Sequence, residues 1–304
     1  MGLRRKLDEV FSQFRPDCAL FSGGLDSAVA AVLTGCKKGI IVTLGEDAPD
    51  LMWACDAADT LRMDLKHVII SRQQALDALP EVIAVLKSFD PAIPNDLAVY
   101  FGLKEAQSLG CRSVITGDGS DELFGGYSYM QSIADLNEYI RRLSRVMTFN
   151  SSSLGRHFGI AIMQPFLQRE IIEYALTLGQ EWKIREVNGD IHGKWVLREA
   201  LKGTLPDAIL WQDKRPLEIG SGMTLLNDFF DTCISDNELI DKKQRYGIDF
   251  MNKAQSYYYE IYRQVVGDIP RPGQDEKPCG ACGAGIKKDR SHCRVCGWVE
   301  GVLL

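Results

Sequence analysis

The chain has 304 residues, of which 45% are hydrophobic and 25% charged, with nine cysteines and a formal net charge of −6. About 150 residues per domain allow one large domain or two moderate ones, and the mildly acidic balance argues against wholesale coating of nucleic acid. Apolar runs such as residues 28–33 and 40–44 are far shorter than the roughly 20 residues of a membrane helix. With no signal-peptide pattern at the start, we expect a soluble cytoplasmic protein whose cysteines pack or bind metal rather than form disulfides.

The predicted elements alternate between helix and strand over the first 116 residues. Apolar residues at helical spacing predict an amphipathic helix from Leu3 to Phe14. Strands are then predicted at residues 18–21, 40–44, 67–70 and 113–116, with helices at residues 26–33, 51–62 and 97–109. This order predicts an α/β fold with a doubly wound parallel sheet. Residues 128–266 show helical patterns and no further convincing strand, which predicts an added helical layer.

A linker separates the last part of the chain from the rest. Residues 267–278 are rich in glycine, proline and charge and lack apolar periodicity. We therefore expect two domains, residues 1–270 and residues 271–304.

The hexad Ser22-Gly-Gly-Leu-Asp-Ser27 lies between the first predicted strand and the following helix. Backbone N–H groups and the helix dipole at such a turn favour an anion. Two glycines let the backbone approach phosphate oxygens closely, and a carboxylate beside them suits a bridging Mg²⁺. No Gly-Lys-Ser/Thr follows, so this is not a Walker loop. The alternative is a plain glycine-rich turn with a helix cap.

Three later segments complete a pattern. They are Thr116-Gly-Asp-Gly-Ser-Asp-Glu-Leu-Phe-Gly-Gly-Tyr127, Lys194-Trp-Val-Leu-Arg198, and Gln212-Asp-Lys214-Arg-Pro-Leu-Glu-Ile-Gly220-Ser-Gly222. The hexad resembles the signature of the PP-loop ATP pyrophosphatase superfamily, and the four segments together resemble the synthetase domain of the asparagine synthetase family. The resemblance spans residues 18–222 and implies the PP-loop fold.

The resemblance also implies roles for individual residues. Pyrophosphate would be held by Ser22, Gly23, Gly24 and Ser27, and Mg²⁺ by Asp26 and Asp121. The adenosine of ATP would be lined by Leu44, Thr116 and Gly117. Lys214 and Lys194 would stabilise the charge of the transition state, the alternative for each being a solvated surface lysine. Asp118 would pair with Lys214 or accept a proton from the amine, although a turn role competes.

The chain also departs from the family pattern. The family's glutaminase domain uses a cysteine after the initiator Met, where this chain has Gly2, so we expect ammonia from solution or from a separate glutaminase. In the segment that resembles the family's Gly-x-Glu-x-Arg-x-Pro-Phe-Leu-Asp, the charged positions have become Ala161, Met163 and Gln168. The acid substrate is therefore aspartate or another carboxylate.

Four cysteines form two C-x-x-C pairs, each followed by glycine: Cys279, Cys282, Cys293 and Cys296. Four thiolates suit a closed tetrahedral Zn²⁺ site that holds a short ribbon together, and an iron–sulfur cluster is the main alternative. His292 is interpreted as a bystander. A small basic face could contact RNA or an acidic protein, or be a solvated loop: Lys287, Lys288, Arg290 and Arg294.

These features predict an ATP- and Mg²⁺-dependent ligase that adenylates a carboxylate, releases pyrophosphate and transfers the acyl group to ammonia or another amine. One alternative is a PP-loop enzyme that modifies a tRNA base, with the zinc ribbon contacting RNA. Another is a non-catalytic ATP-binding adaptor.

Overall fold

The computed structural model describes residues 2–212 and 215–300, which fall into two compact units. The first unit comprises Met1–Ile41, Pro49–Val68 and Gly102–Pro216. The second comprises Val42–Ala48, Ile69–Phe101 and Leu217–Leu304. Lys214, one of the two lysines assigned to catalysis, lies outside the described residues.

Five strands form the main sheet: β1 (Cys18–Leu20), β2 (Lys38–Leu44), β3 (Asp64–Ile70), β4 (Ser113–Ile115) and β5 (Ala161–Met163). Their order is β3-β2-β1-β4-β5. Strand β1 pairs in parallel with β2 and β4, and β4 pairs in parallel with β5. The order changes direction at β1, so the expected α/β fold with a doubly wound parallel sheet is confirmed.

Sixteen α-helices lie among the described residues. They are α1 (Gly2–Phe11), α2 (Leu25–Thr34), α3 (Leu51–Leu61), α4 (Arg72–Leu86), α5 (Ile93–Ser108), α6 (Ser120–Phe124), α7 (Leu136–Val146), α8 (Asn150–Phe158), α9 (Arg169–Thr177), α10 (Gln180–Lys183), α11 (Trp195–Leu201), α12 (Asp207–Leu210), α13 (Leu217–Gly220), α14 (Leu225–Cys233), α15 (Asp236–Tyr246) and α16 (Lys253–Val265). Short 3-10 helices occupy Ser128–Ser132 and Pro165–Leu167. No helix in the described ranges has the length and apolarity required to span a membrane.

The first unit is built around α2. This helix starts after Gly24 and ends at Gly35, whose φ of 70° lets its N–H bond the carbonyls of the last turn. Helix α1 packs on α2, α9 and α11. Phe166, fully buried, makes edge contacts with Phe11 at 5.0 Å and Phe124 at 6.3 Å between ring centroids. These contacts fix the loops that follow β4 and β5 against the core.

The second unit is a helical layer joined to a small ribbon. Helix α16 packs on α4 and α14, and the buried ring of Phe89 lies 4.9 Å from Tyr259 and 5.2 Å from Tyr262. The ribbon contains an antiparallel hairpin of β8 (Glu276–Pro278) and β9 (Gly285–Lys287).

The expectation of no further strand within residues 128–266 was wrong. Strand β5 extends the main sheet, and β6 (Arg185–Val187) and β7 (Asp190–His192) form an antiparallel hairpin. Each has three residues, too few for an alternating pattern to be recognised. Helix α4 was not predicted either, although Ser71 and Gln74 form a capping box at its start, a signal that the sequence does carry.

Candidate active site and cysteine cluster

The hexad forms a tight turn between β1 and α2 at the carboxyl edge of the sheet. Gly23 has a φ of 76°, and a Cβ there would lie 2.6 Å from the Cα of Ala54, so only glycine fits this position. The Ser27 hydroxyl donates to the Gly24 carbonyl at 3.0 Å, and the Ser22 and Ser27 hydroxyls lie 3.4 Å apart. The loop therefore brings two hydroxyls and the start of α2 together, a suitable cradle for phosphate.

The segment after β4 touches this loop directly. A Cβ on Gly117 would lie 2.6 Å from the Cβ of Asp26 and 3.2 Å from the Ser27 nitrogen. Strands β1 and β4 are parallel neighbours, so their carboxyl ends place the two glycine-bearing segments side by side. Thr116 is buried at the same strand end.

A lysine joins three of the predicted segments. Lys194 Nζ lies 2.6 Å from Asp26 Oδ2 and 2.6 Å from Asp121 Oδ1. The Lys194 side chain is 3% exposed, and those of Asp26 and Asp121 are 16% and 10% exposed. The two aspartates assigned to Mg²⁺ are thus adjacent, as a shared cation site requires, and carboxylate oxygens are the ligands Mg²⁺ prefers.

The backbone of Lys194 is held in an uncommon conformation. Its φ of 55° and ψ of 30° are left-handed, and its N–H donates to the Phe124 carbonyl at 3.0 Å. At Gly126, any Cβ would collide with Asp121 Oδ1 and Lys194 Cε. A non-glycine residue adopts this conformation only where its surroundings impose it. The glycine pair after α6 and the turn into α11 therefore place Lys194 between the aspartates.

Asp118 is the centre of a network of neutral hydrogen-bond donors. Its Oδ2 accepts from Thr116 Oγ1 at 2.8 Å, Ser151 Oγ at 2.6 Å and Gln164 Nε2 at 2.8 Å. Gln164 Oε1 in turn accepts from Ser152 Oγ at 3.1 Å. Neither Ser151 nor Gln164 was anticipated as a partner of Asp118: Ser151 lies outside the recognised segments, and Gln164 occupies an unspecified position of the segment that continues with Pro165-Phe-Leu-Gln168.

A half-buried carboxyl, that of Glu122, lies beside Asp121. Burial raises the pKa of Glu122 to about 6, against the lowering effect of the hydrogen bond from the Tyr127 hydroxyl, and the charges of Asp121 and Asp118 add to the rise. That hydroxyl donates to Glu122 Oε1 at 2.7 Å. The same burial and the adjacent carboxylates raise the pKa of Tyr127. The hydrogen bond between Tyr127 and Glu122 thus ties α6 to the residue that follows Gly125 and Gly126.

Arg198 anchors the segment that leads to Lys214. The buried guanidinium donates to the carbonyls of Gly193 at 2.9 Å, Gln212 at 3.3 Å and Leu210.

Leu44, assigned to the adenosine, lies at the end of β2 in the second unit, where its N–H donates to the Ser221 carbonyl at 2.8 Å.

The four paired cysteines of the ribbon converge. Their sulfurs all lie within 4.8 Å of one another, with Cys279 and Cys296 3.6 Å apart and Cys282 and Cys293 3.8 Å apart. A tetrahedron with metal–sulfur bonds of about 2.3 Å has sulfurs about 3.8 Å apart. In a four-iron cluster each thiolate binds a different iron, which requires a wider spacing. The donor set therefore fits one tetrahedral ion.

The two cysteine-pair turns of the ribbon, called knuckles below, accept hydrogen bonds from α16 and from the connection between α4 and α5. The Val295 carbonyl accepts from the Phe89 N–H at 2.7 Å and from Ser88 Oγ at 3.1 Å. The Cys296 carbonyl accepts from Gln255 Nε2 at 2.7 Å, a fully buried contact. His292 makes a 3.7 Å contact with Asp90 and is not part of the cysteine cluster.

Comparisons with known proteins agree with the sequence motifs. A family model described as asparagine synthase matches residues 3–159 and 140–264. A probable glutamine-hydrolysing asparagine synthetase of Dictyostelium discoideum is 27% identical over 315 residues, which cover 87% of this chain and 56% of that protein. One from Schizosaccharomyces pombe is 29% identical over 325 residues, covering 89% and 58%. The chain thus spans about half the length of these curated relatives.

Solved structures give a weaker likeness. The U34-tRNA thiolase NcsA of Methanococcus maripaludis, solved with its [4Fe-4S] cluster, is 13% identical and matches with a TM-score of 0.36. That match covers 93% of this chain and 83% of the thiolase chain.

Proposed function

Because the chain belongs to the asparagine synthase family, we propose that it is an ATP-dependent ligase that adenylates a carboxylate and transfers the acyl group to an amine. The products are an amide, AMP and pyrophosphate. The single observation that carries the proposal is the triad of Lys194, Asp26 and Asp121 beside the hexad loop, with distances of 2.6 Å from Nζ to each carboxylate. A lysine buried between two carboxylates next to a phosphate cradle suits polyphosphate chemistry better than packing.

The reaction has two steps. A carboxylate oxygen of the substrate attacks the α-phosphorus of ATP, the bond to the bridging oxygen breaks, and pyrophosphate leaves. The amine nitrogen then attacks the acyl carbon, AMP leaves with the electrons of the broken C–O bond, and the nitrogen loses a proton. Such chemistry depends mainly on positioning and on neutralising charge.

The loop residues have a direct part in the first step. Backbone N–H groups of Gly23 and Gly24 and the hydroxyls of Ser22 and Ser27 would hold the departing pyrophosphate. Asp26 and Asp121 would hold Mg²⁺, which supplies positive charge to the phosphates when bound. Gly117 packs on Asp26, a contact that would keep the strand end close to the nucleotide, and we assign Thr116 and Leu44 to the adenosine.

Lys194, Lys214 and Asp118 would interact with the charges that develop on the phosphates, the acyl oxygen and the amine during the reaction. Lys194 would neutralise phosphate oxygens, and Lys214 is proposed for the pentavalent phosphorus and the later oxyanion. Asp118, held by three neutral donors, is proposed as the acceptor of the amine proton. The hydrogen bonds that Asp118 accepts from Thr116 and Ser151 also support the competing turn role. An Asp118→Asn variant distinguishes the two roles, because loss of amide formation supports the proton acceptor and retained amide formation supports the turn.

We further propose that Zn²⁺ occupies the cysteine cluster as a structural ion. The sulfur spacing supports a single tetrahedral ion over an iron–sulfur cluster. Zinc would supply cross-linking of the two knuckles and no catalysis, because a site with four thiolates has no open position. On this basis residues 271–304 form a linker and a zinc ribbon following the synthase domain of residues 1–270.

The experiment that tests the function is pyrophosphate release with ATP and Mg²⁺ across a panel of amino acids and other carboxylates, each with ammonium. A parallel arm adds bulk tRNA without a carboxylate. Carboxylate-dependent release of pyrophosphate with amide formation supports the ligase. Release that depends on tRNA alone supports the base-modifying alternative, and binding of ATP without turnover in any arm supports the adaptor.

A further inference from the structure

We infer that Lys194 is an exchangeable internal cation: in the absence of nucleotide its ammonium takes the place of the divalent ion between Asp26 and Asp121, and ion entry displaces it. The inference rests on the proposed magnesium role of the two aspartates. It adds a property of the nucleotide-free protein that the reaction itself does not require.

The geometry of the triad gives one ammonium the two oxygens that one metal ion would bind. Lys194 Nζ lies 2.6 Å from an oxygen of each aspartate. An ion bound to the same two oxygens at about 2.0–2.1 Å, the distance typical of Mg²⁺, would lie within about 4.7 Å of Nζ, and two cations this close in a buried site repel each other. The ammonium and the ion therefore compete for these oxygens.

Burial explains why this position requires a cation at all times. The three side chains are between 3% and 16% exposed. Two carboxylates this close and this poorly hydrated repel each other, and removing the partner of a buried charge is strongly unfavourable. One ammonium leaves the triad with a net charge of −1, whereas a divalent ion would neutralise both aspartates.

The backbone shows that the lysine is placed there by the fold. Lys194 has the left-handed φ of 55°, its N–H is bonded to Phe124, and Gly126 leaves no space for a Cβ beside the ammonium chain. A flexible surface lysine would not require this conformation. The left-handed backbone positions the ammonium of Lys194 between the aspartates. The flexible lysine side chain can then move the ammonium toward the phosphates that accompany the ion.

The test is Mn²⁺ binding to nucleotide-free protein, measured by the loss of the free Mn²⁺ electron paramagnetic resonance signal. Lys194→Met should bind one Mn²⁺ about tenfold or more tightly than the unsubstituted protein, because a competing buried charge is gone. Adding Asp121→Asn to that variant should remove the gained affinity. Lys202→Met, which removes a half-exposed lysine paired with Glu199, is the matched control and should bind as the unsubstituted protein does.

Three results would overturn the inference. They are equal Mn²⁺ affinity with and without Lys194, gained affinity that survives Asp121→Asn, and a Lys194→Met protein that stays unfolded at every Mg²⁺ and Mn²⁺ concentration. The last is decisive because the inference holds that a divalent ion can replace the ammonium; folding of that variant only with the ion would support it. Binding is read without ATP, so failure of the proposed ligase reaction would leave this result intact and distinguishable.

Discussion

Removing metal from the cysteine cluster should loosen the helices that the ribbon bonds. The Phe89 N–H donates to the Val295 carbonyl and the Asp249 N–H to the Ala281 carbonyl. Both amides lie in connections between helices of the second unit, so their exchange with solvent reports whether the knuckles stay in place. An ion present at about a thousand times its dissociation constant stabilises the folded state by about 4 kcal/mol. Its removal should lower the melting temperature by roughly 15 °C for a unit of this size.

The assay combines metal analysis with hydrogen exchange. Purified protein should contain one zinc per chain, and a strong chelator should accelerate exchange at Phe89 and Asp249 by up to about a thousandfold. The Lys194 amide, bonded to the Phe124 carbonyl in the first unit, should keep its protection. Cys282→Ser should reproduce the effect of the chelator, while Cys233→Ser, at an exposed cysteine of the same unit, should not. Unchanged exchange at Phe89 and Asp249 after complete metal removal would refute this reasoning.

Three further substitutions test separate contacts. The pKa of Glu122 is about 6 in the folded protein, against a usual 4.5, so the free energy of unfolding should fall by about 2 kcal/mol as pH rises from below 4.5 to above 6. Denaturant unfolding of Glu122→Gln at pH 4.5 and 7 should lack that fall. A pH dependence equal to that of the unsubstituted protein would contradict the role of Glu122. Gly126→Ala should displace Lys194 and reduce ATP–pyrophosphate exchange by about tenfold or more. Gly273→Ala, whose Cβ would make an ordinary 3.6 Å contact with Glu276 Oε2, should not reduce it, and equal rates for the two variants would count against the placement of Lys194. Gln255→Ala should leave a buried carbonyl unpaired and cost about 1–3 kcal/mol of unfolding free energy, and a cost near zero would show that its contact with the ribbon is unimportant.

The sequence was most informative where chemistry restricts residue types. The hexad, the segment after β4 and the lysine that precedes α11 were recognised separately, and the structure places Lys194 Nζ 2.6 Å from a carboxylate oxygen of both Asp26 and Asp121. The cysteine pairs were equally clear, because two C-x-x-C pairs with following glycines indicate a metal site without any knowledge of the fold.

Contacts made by ordinary polar residues could not be predicted. Ser151 and Gln164 reach Asp118 from α8 and from the segment after β5, 33 and 46 residues along the chain. Only the packing of β5 beside β4 brings them there, and β5 itself has three residues. The pairing of Lys194 with both aspartates was missed for a similar reason, since its left-handed backbone is imposed by neighbours that are distant in sequence.

The measurement that tests the central claim most directly is carboxylate-dependent ATP–pyrophosphate exchange, which isolates adenylation from the later transfer to an amine. The unsubstituted protein should exchange label from pyrophosphate into ATP only with Mg²⁺ and its acid substrate. Asp26→Asn and Lys214→Ala should each abolish this exchange while remaining folded. Asp59→Asn, which changes an exposed aspartate on α3, should retain it. Full exchange in folded Asp26→Asn protein, or exchange by the unsubstituted protein without any carboxylate, would contradict the account.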